Sequence, residues 1–246
     1  MVLTVTLPRA ALLLLTDGRF PAGGYAHSGG LEPTITAGRV HDLPTLEAFL
    51  TGRACTAGAV AAAFAAAACG AVADDDLPRL EALDSELDAR MPSPTSRATS
   101  RQLGRQFLRT VEQVRPRPPR VPLGADADGL NSRGPDGEHG LGPTPHLPVA
   151  LGAACAWFGL GRRDAAVAAL HDSVAGPAAA AVRLLSINPF GAHAALARLA
   201  PLLDDLAGHA VQCSHGGVAD LPAASAPLLD IGAEQHAARS MRLFAS

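Results

Sequence analysis

The chain has 246 residues and a mass of 25.0 kDa, enough for one large domain that folds on its own core without disulfides or a metal. Hydrophobic residues make up 48% but aromatics only 4%, so the apolar mass is Ala, Leu and Val, which favours closely packed helices over a sheet. Charge is 17%, net −3, with a pI near 6.3, which leaves no electrostatic footprint for nucleic acid or an anionic membrane.

In chain order, Val2-Leu3-Thr4-Val5-Thr6 reads as an extended tail before Pro8, and Ala10 to Asp17 as a short helix. Its apolar run is shorter than a signal h-region and is closed by Asp17 and Arg19, so a cytoplasmic protein is expected. The stretch from Phe20 to Glu32 holds four glycines and a proline, and is predicted to be a structured turn carrying polar side chains. Asp42 reads as an N-cap with Pro44 in the first turn and Leu46, Phe49 and Leu50 on one face. The uncharged segment 54–73 is long enough to cross a bilayer, but it is mostly Ala and Gly, and a buried helix is the better reading.

Asp74-Asp75-Asp76 predicts a loop and a helix start, followed by Leu77, Leu80, Leu83, Leu87 and Met91 at amphipathic spacing. The next helix is expected over 96–114, with Leu103, Phe107, Leu108 and Val111 inward. Arg97, Arg101, Arg105 and Arg109 form a second face, either solvated or a docking surface for an acidic partner. Residues 115–145 are rich in Pro, Gly and Asp and predict a flexible insertion. Helical patterning returns after Pro148, breaks at Gly159-Leu160-Gly161, runs from Asp164 to Val174, and is punctuated by Gly176-Pro177 before a separate helix over 178–185. A turn is expected at Asn188-Pro189-Phe190-Gly191, then a stripe of Leu196, Leu199, Leu202, Leu203 and Leu206, a loop over 216–227, and a last helix capped by Asp230 and ending at Phe244. The predicted fold class is all-α: a single compact domain over 1–246 with about eight to ten helices, as the pattern of periodic segments requires.

All 20 basic residues are Arg, so the chain has no lysine for a Walker A loop or a Schiff base. Cys55, Cys69, Cys155 and Cys213 form no CxxC pair and read as small buried hydrophobes of a reducing compartment. His209, Cys213 and His215 are the weak candidates for a metal site, two or three ligands being too few to close one. His27 and Ser28 lack the nucleophile elbow and oxyanion loop of a hydrolase. No acid, base, nucleophile and pocket assemble, which points to a binding protein rather than an enzyme, with a metal-binding or membrane-associated helical protein as the alternative.

Five ordered motifs carry a family resemblance. Phe20-Pro21-Ala22-Gly23-Gly24-Tyr25-Ala26-His27-Ser28-Gly29-Gly30-Leu31-Glu32, with Ala37-Gly38-Arg39-Val40 behind it, resembles the opening signature of the urease accessory protein UreF family. Arg97-Ala98-Thr99-Ser100 with Leu103-Gly104-Arg105, the run His146 to Gly152, and Ala181-Val182-Arg183-Leu184 before Pro189-Phe190-Gly191 resemble its central segments. Asp230-Ile231 through His236 to Arg242-Leu243-Phe244-Ala245-Ser246 resembles its closing tail, with Ala237, Ser240 and Met241 departing from the family's usual residues.

The resemblance implies an all-helical, non-enzymatic adaptor that dimerises and bridges the UreD (or UreH) scaffold and the UreG GTPase on urease apoprotein. Nickel and GTP are then handled by the complex, and no cofactor is expected on this chain. It further implies partner-binding roles for Tyr25, His27 and Glu32 in the Gly-rich motif, for Arg183 as a basic residue pairing with a carboxylate within the dimer or across to the GTPase, and for His236, Arg242 and Phe244. Those last three belong to a docking tail over 228–246 that orders against the scaffold.

Overall fold

A computed structural model of the chain describes residues 10–115, 141–142, 144–239 and Phe244. The expected tail at 2–6, Arg242 and most of the 115–145 insertion lie outside the described residues. What is described is all-α, with no strand among these residues: α1 (Ala10–Leu15), α2 (Leu31–Thr36), α3 (Leu43–Arg53), α4 (Ala59–Ala73), α5 (Leu77–Ala89), α6 (Pro94–Val114), α7 (Leu147–Trp157), α8 (Arg162–Leu184), α9 (Pro189–Cys213) and α10 (Pro227–Ala237).

Local chemistry starts these helices where the residues say it should. Asp42 accepts the Thr45 N–H at 2.9 Å while Thr45 Oγ1 accepts the Asp42 N–H at 3.1 Å, a reciprocal cap. Asp76 caps α5 and Ser93 caps α6, accepting from Arg79 N–H and Ser96 N–H at 3.0 Å each. Only Asp230 fails: it stands in the first turn of α10, Ala226 occupies the cap position without a side-chain bond, and the helix expected to reach Phe244 ends at Ala237. The turn predicted at 188–191 is the start of α9, because Asn188 Oδ1 accepts the Phe190 N–H at 3.0 Å and Pro189 suits the first helical position.

α4 is the central helix. It packs against α5, α7, α8 and α9, and every side chain from Ala62 to Ala68 is fully buried. Methyl groups let backbones approach closely, which is how a chain poor in aromatics fills its interior. The run Leu43–Ala73 and helix α8 are long and apolar enough to cross a membrane, and 67% and 61% of their apolar windows are buried inside the fold. On α9, Leu199 is buried, but Ala192, Ala195, Ala207 and Ala210 fill the remaining inward positions. The other leucines of the stripe are partly buried beside them. Of the cysteines, Cys69 and Cys155 are buried as expected, whereas Cys55 is exposed. Burial pushes the Cys69 thiol up to about 11 and raises Cys155 as well, so both are inert thiols rather than thiolates.

Three expectations are corrected. α8 runs unbroken through Gly176-Pro177. Proline removes the donor for the carbonyl four residues earlier, and Arg53 Nε–H supplies it instead, donating to Ser173 O at 2.8 Å. The insertion ends in packed structure, since Leu141 is 8% exposed in the core and Pro145 is buried. The arginine face of α6 is partly consumed at home: Arg101 bonds Asp84 at 2.9 Å, Asp88 at 2.8 Å and Thr144 O at 2.8 Å, and Arg97 donates to Met91 O at 2.6 Å. Arg105 and Arg109 alone of that face are exposed.

This polar knot also secures His146, which is fully buried, with its backbone N–H on Asp84 at 2.7 Å and Nε2 3.1 Å from Asp88. Burial, then the Arg101 charge, holds the imidazole below its ordinary 6.5 against the pull of Asp84 and Asp88. Its Nδ1 has no partner, so a second proton there would be buried without an acceptor. Asp88 is held below 3.8: burial pushes it up, but its bonds from Arg101 and His146 outweigh that.

Both groups bind protons more weakly folded than unfolded. Their contribution to stability is therefore complete above pH 6.5, falls as pH drops from there through the folded value of His146, and falls again below 3.8 through that of Asp88. Thermal midpoints from about pH 8 to about pH 3 check this. His146→Gln shrinks the upper step to what half-buried His27, also held below 6.5, contributes, and an unchanged slope near pH 6.5 in that variant contradicts the assignment.

Candidate functional site

The Gly-rich motif forms a short 3-10 turn over Gly24–Ala26 and then a Gly29-Gly30 corner before α2. Both corner glycines are left-handed, with φ of 59° and 85°, a region that side chains resist. A Cβ on Gly30 would lie 3.1 Å from Leu229 Cδ2, so the corner also lets α10 press against α2. Ser28 is buried, and its Oγ accepts the Glu32 N–H at 3.2 Å, which starts α2 and gives the serine a structural task.

The C-terminal residues close onto this motif. Glu32 Oε2 accepts the Phe244 N–H at 2.9 Å and lies 3.6 Å from His236 Nε2, which itself faces Phe244 O at 3.3 Å. His236 is 2% exposed and Phe244 7%, so the contact is packed as well as hydrogen-bonded. Arg183, in the last turn of α8, stacks its guanidinium 4.6 Å from the Phe244 ring centroid and donates to Tyr25 O at 3.3 Å. Glu234 tethers α10, the helix of His236, from the other side, accepting Ser93 Oγ–H and, at 3.0 Å, the Thr95 N–H at the start of α6.

Five of the seven residues singled out in the sequence thus meet in one place: Tyr25, Glu32, Arg183, His236 and Phe244. The Tyr25 side chain is 68% exposed beside them. His27 is half-buried, lining a cavity of about 310 Å³ and a second of about 400 Å³ that it shares with Tyr25 and Arg183, and burial holds its imidazole below 6.5. Arg242 lies outside the described residues. Within its own chain Arg183 meets a ring face and a carbonyl; the carboxylate expected for it, within the dimer or across to the GTPase, would belong to another chain. His236 and Phe244 make their described contacts within the chain, with Glu32, Arg183 and each other.

The metal candidates do not assemble: His209 and His215 are exposed, Cys213 is half-buried, and no group of three or more His, Cys, Asp or Glu among the described residues is placed to hold an ion. Sequence reasoning missed Arg53, Asp172 and Ser173, which line one wall of the smaller cavity. Burial pushes the Asp172 carboxyl up, and the Arg53 charge draws it back. The one available signal was Pro177 inside a helical pattern, which demands a replacement donor somewhere in the chain.

Fold and site together define an all-helical protein whose last helix and Phe244 close onto its own glycine-rich turn. A family model described as UreF matches residues 40–200. The urease accessory protein UreF of Mycolicibacterium vanbaalenii is 41% identical over 239 residues, covering 96% of this chain and 98% of that protein. Proteins of the same name from Mycobacterium sp. strain JLS and Mycobacterium tuberculosis are 40% and 38% identical, each covering 96% of this chain and, respectively, 97% and 98% of their own length. The chain belongs to the UreF family of urease accessory proteins.

Proposed function

We propose that this chain is the non-enzymatic adaptor of urease maturation, a single domain over 1–246. As a homodimer in the cytoplasm, it bridges a UreD/UreH scaffold and a UreG GTPase on urease apoprotein. Nickel and GTP are carried by the partners; the chain has no lysine with which to build a Walker A phosphate loop of its own. The observation that carries the reading is the convergence of Tyr25, Glu32, Arg183, His236 and Phe244 on one tail-locked surface, where Glu32 and Phe244 meet across 212 residues of chain.

A preorganised tail loses less freedom on docking than a free one, which raises affinity without a new contact. Tyr25 then offers an exposed aromatic anchor beside a cation, a combination enriched at interface hot spots.

The test is co-expression of the chain with its cognate scaffold, GTPase and apo-urease, with urease activity measured in its presence and absence. Activity is expected to depend on the chain; equal activity without it sinks the reading. Arg183→Glu is expected to abolish partner pull-down and most activation at unchanged helical content. It loses the ring stack and places a carboxylate against the Tyr25 carbonyl. Pull-down and activation that both persist rule out the role given to Arg183.

A further inference from the structure

The described core falls into two apolar clusters, and each of the three long helical runs crossing their border is irregular there. The α3–α4 run gives Leu46, Leu50 and Ala54 to one cluster and Val60 onward to the other, with a π-turn over Ala54–Gly58 between them. α8 gives Leu170 to one and Val174 to the other, and the carbonyl freed by Pro177 is that of Ser173, at the join. α9 gives Leu199 to one and Ala207 to the other, with Pro201 between. Each irregularity removes a regular backbone bond and so weakens the helix as a rigid rod. The smaller cluster contains Leu31 and Phe244, so it is the half that carries the tail-locked surface.

Arg53 stands where two of these irregularities touch. It precedes the π-turn, and its Nε–H fills the Ser173 carbonyl at 2.8 Å. A Cβ on Gly58, inside the π-turn, would lie 2.8 Å from Ser173 Oγ, so turn and kink are in direct contact. The outer end of the guanidinium does something separate: a Cβ on Gly29, in the corner that starts α2, would lie 3.3 Å from its Nη2 and 3.0 Å from Pro177 Cγ. One side chain therefore holds the π-turn, the proline site and the glycine corner, with Asp172 nearby as its counter-charge.

We propose that Arg53 is a positioning residue: as surrogate donor for Pro177 and backstop for the Gly29 corner, it sets the tail-locked surface on the α4–α7 half. This deepens the adaptor reading and rests on it for its effect on urease activation.

The two tasks separate chemically, because a Gln side chain places an N–H where the Arg Nε–H stands but has no outer guanidinium. Amide hydrogen exchange of the full chain is read by segment. Arg53→Met is expected to speed exchange at least about tenfold in both 24–36 and 170–184, leaving 62–71 protected. Arg53→Gln is expected to do so in 24–36 only and to lower urease activation in co-expression.

Uniform acceleration, no acceleration, or a Gln variant equal to Met in 170–184 overturns the proposal. Should Arg53→Met not fold, it is read in a Pro177→Ala background, whose restored N–H takes over the Ser173 carbonyl. There 170–184 is expected to keep the protection seen with Pro177→Ala alone, and failure of the double variant to fold also overturns the proposal. Local acceleration with full activation removes the positioning role. Activation that never depended on the chain is the separate failure of the adaptor reading.

Discussion

Gly152→Ala is expected to lower the thermal midpoint by about 4–12 °C, the signature of a net loss of about 2–3 kcal/mol. On α7, a Cβ at this position would lie 2.2 Å from the Ala65 carbonyl oxygen and 2.9 Å from Ala68 Cβ, both on the central helix. The obstacle is backbone rather than the end of a side chain, so the two helices must part, and every buried methyl along Ala62 to Ala68 loses contact. Replacing a helical glycine by alanine normally gains about 1 kcal/mol, which offsets part of the clash but cannot cancel it. Gly52, exposed in α3 with nothing within 4 Å of its would-be Cβ, shows the opposite balance. Gly52→Ala should raise the midpoint by a few degrees, about 1 kcal/mol's worth. Calorimetry of the two variants decides this, and a Gly152→Ala midpoint at or above wild type would falsify the packing argument.

The second large effect is on the tail. Glu32→Ala removes the acceptor of the Phe244 N–H and the carboxylate beside His236, in a setting where the Glu32 side chain is only 13% exposed. A hydrogen bond to a charged group contributes about 2 kcal/mol, so exchange of the Phe244 amide is expected to rise about 30-fold while the α4 core stays protected. Glu32→Gln keeps an acceptor oxygen and should show a much smaller rise. Under the adaptor reading, urease activation falls in the same order. An unchanged Phe244 amide in Glu32→Ala would mean that the ring stack on Arg183 holds the tail without the carboxylate.

Which features were legible follows from where their partners lie. The caps at Asp42 and Asp76 each bond within three residues, so they could be read directly from the chain. The buried identity of 54–73 was readable because alanine, unlike leucine, inserts poorly into lipid yet packs well against backbone. Pro177 misled because its remedy, Arg53, lies 120 residues from the carbonyl it serves. The arginine row of α6 looked outward-facing because Asp84 and Asp88, 17 and 13 residues before Arg101, belong to another helix whose rotation no periodicity specifies.

The residues read in order settle helix content, most helix starts, the lysine-free chemistry and the family, because each depends on near neighbours or on residue identity alone. Tertiary structure decided that α8 continues through its proline, that two of the α6 arginines are spent internally, and that the tail closes on Glu32 and Arg183. Those outcomes turn on which side chains meet across long chain separations, and such meetings are set by packing of the whole alanine-rich core rather than by any local preference.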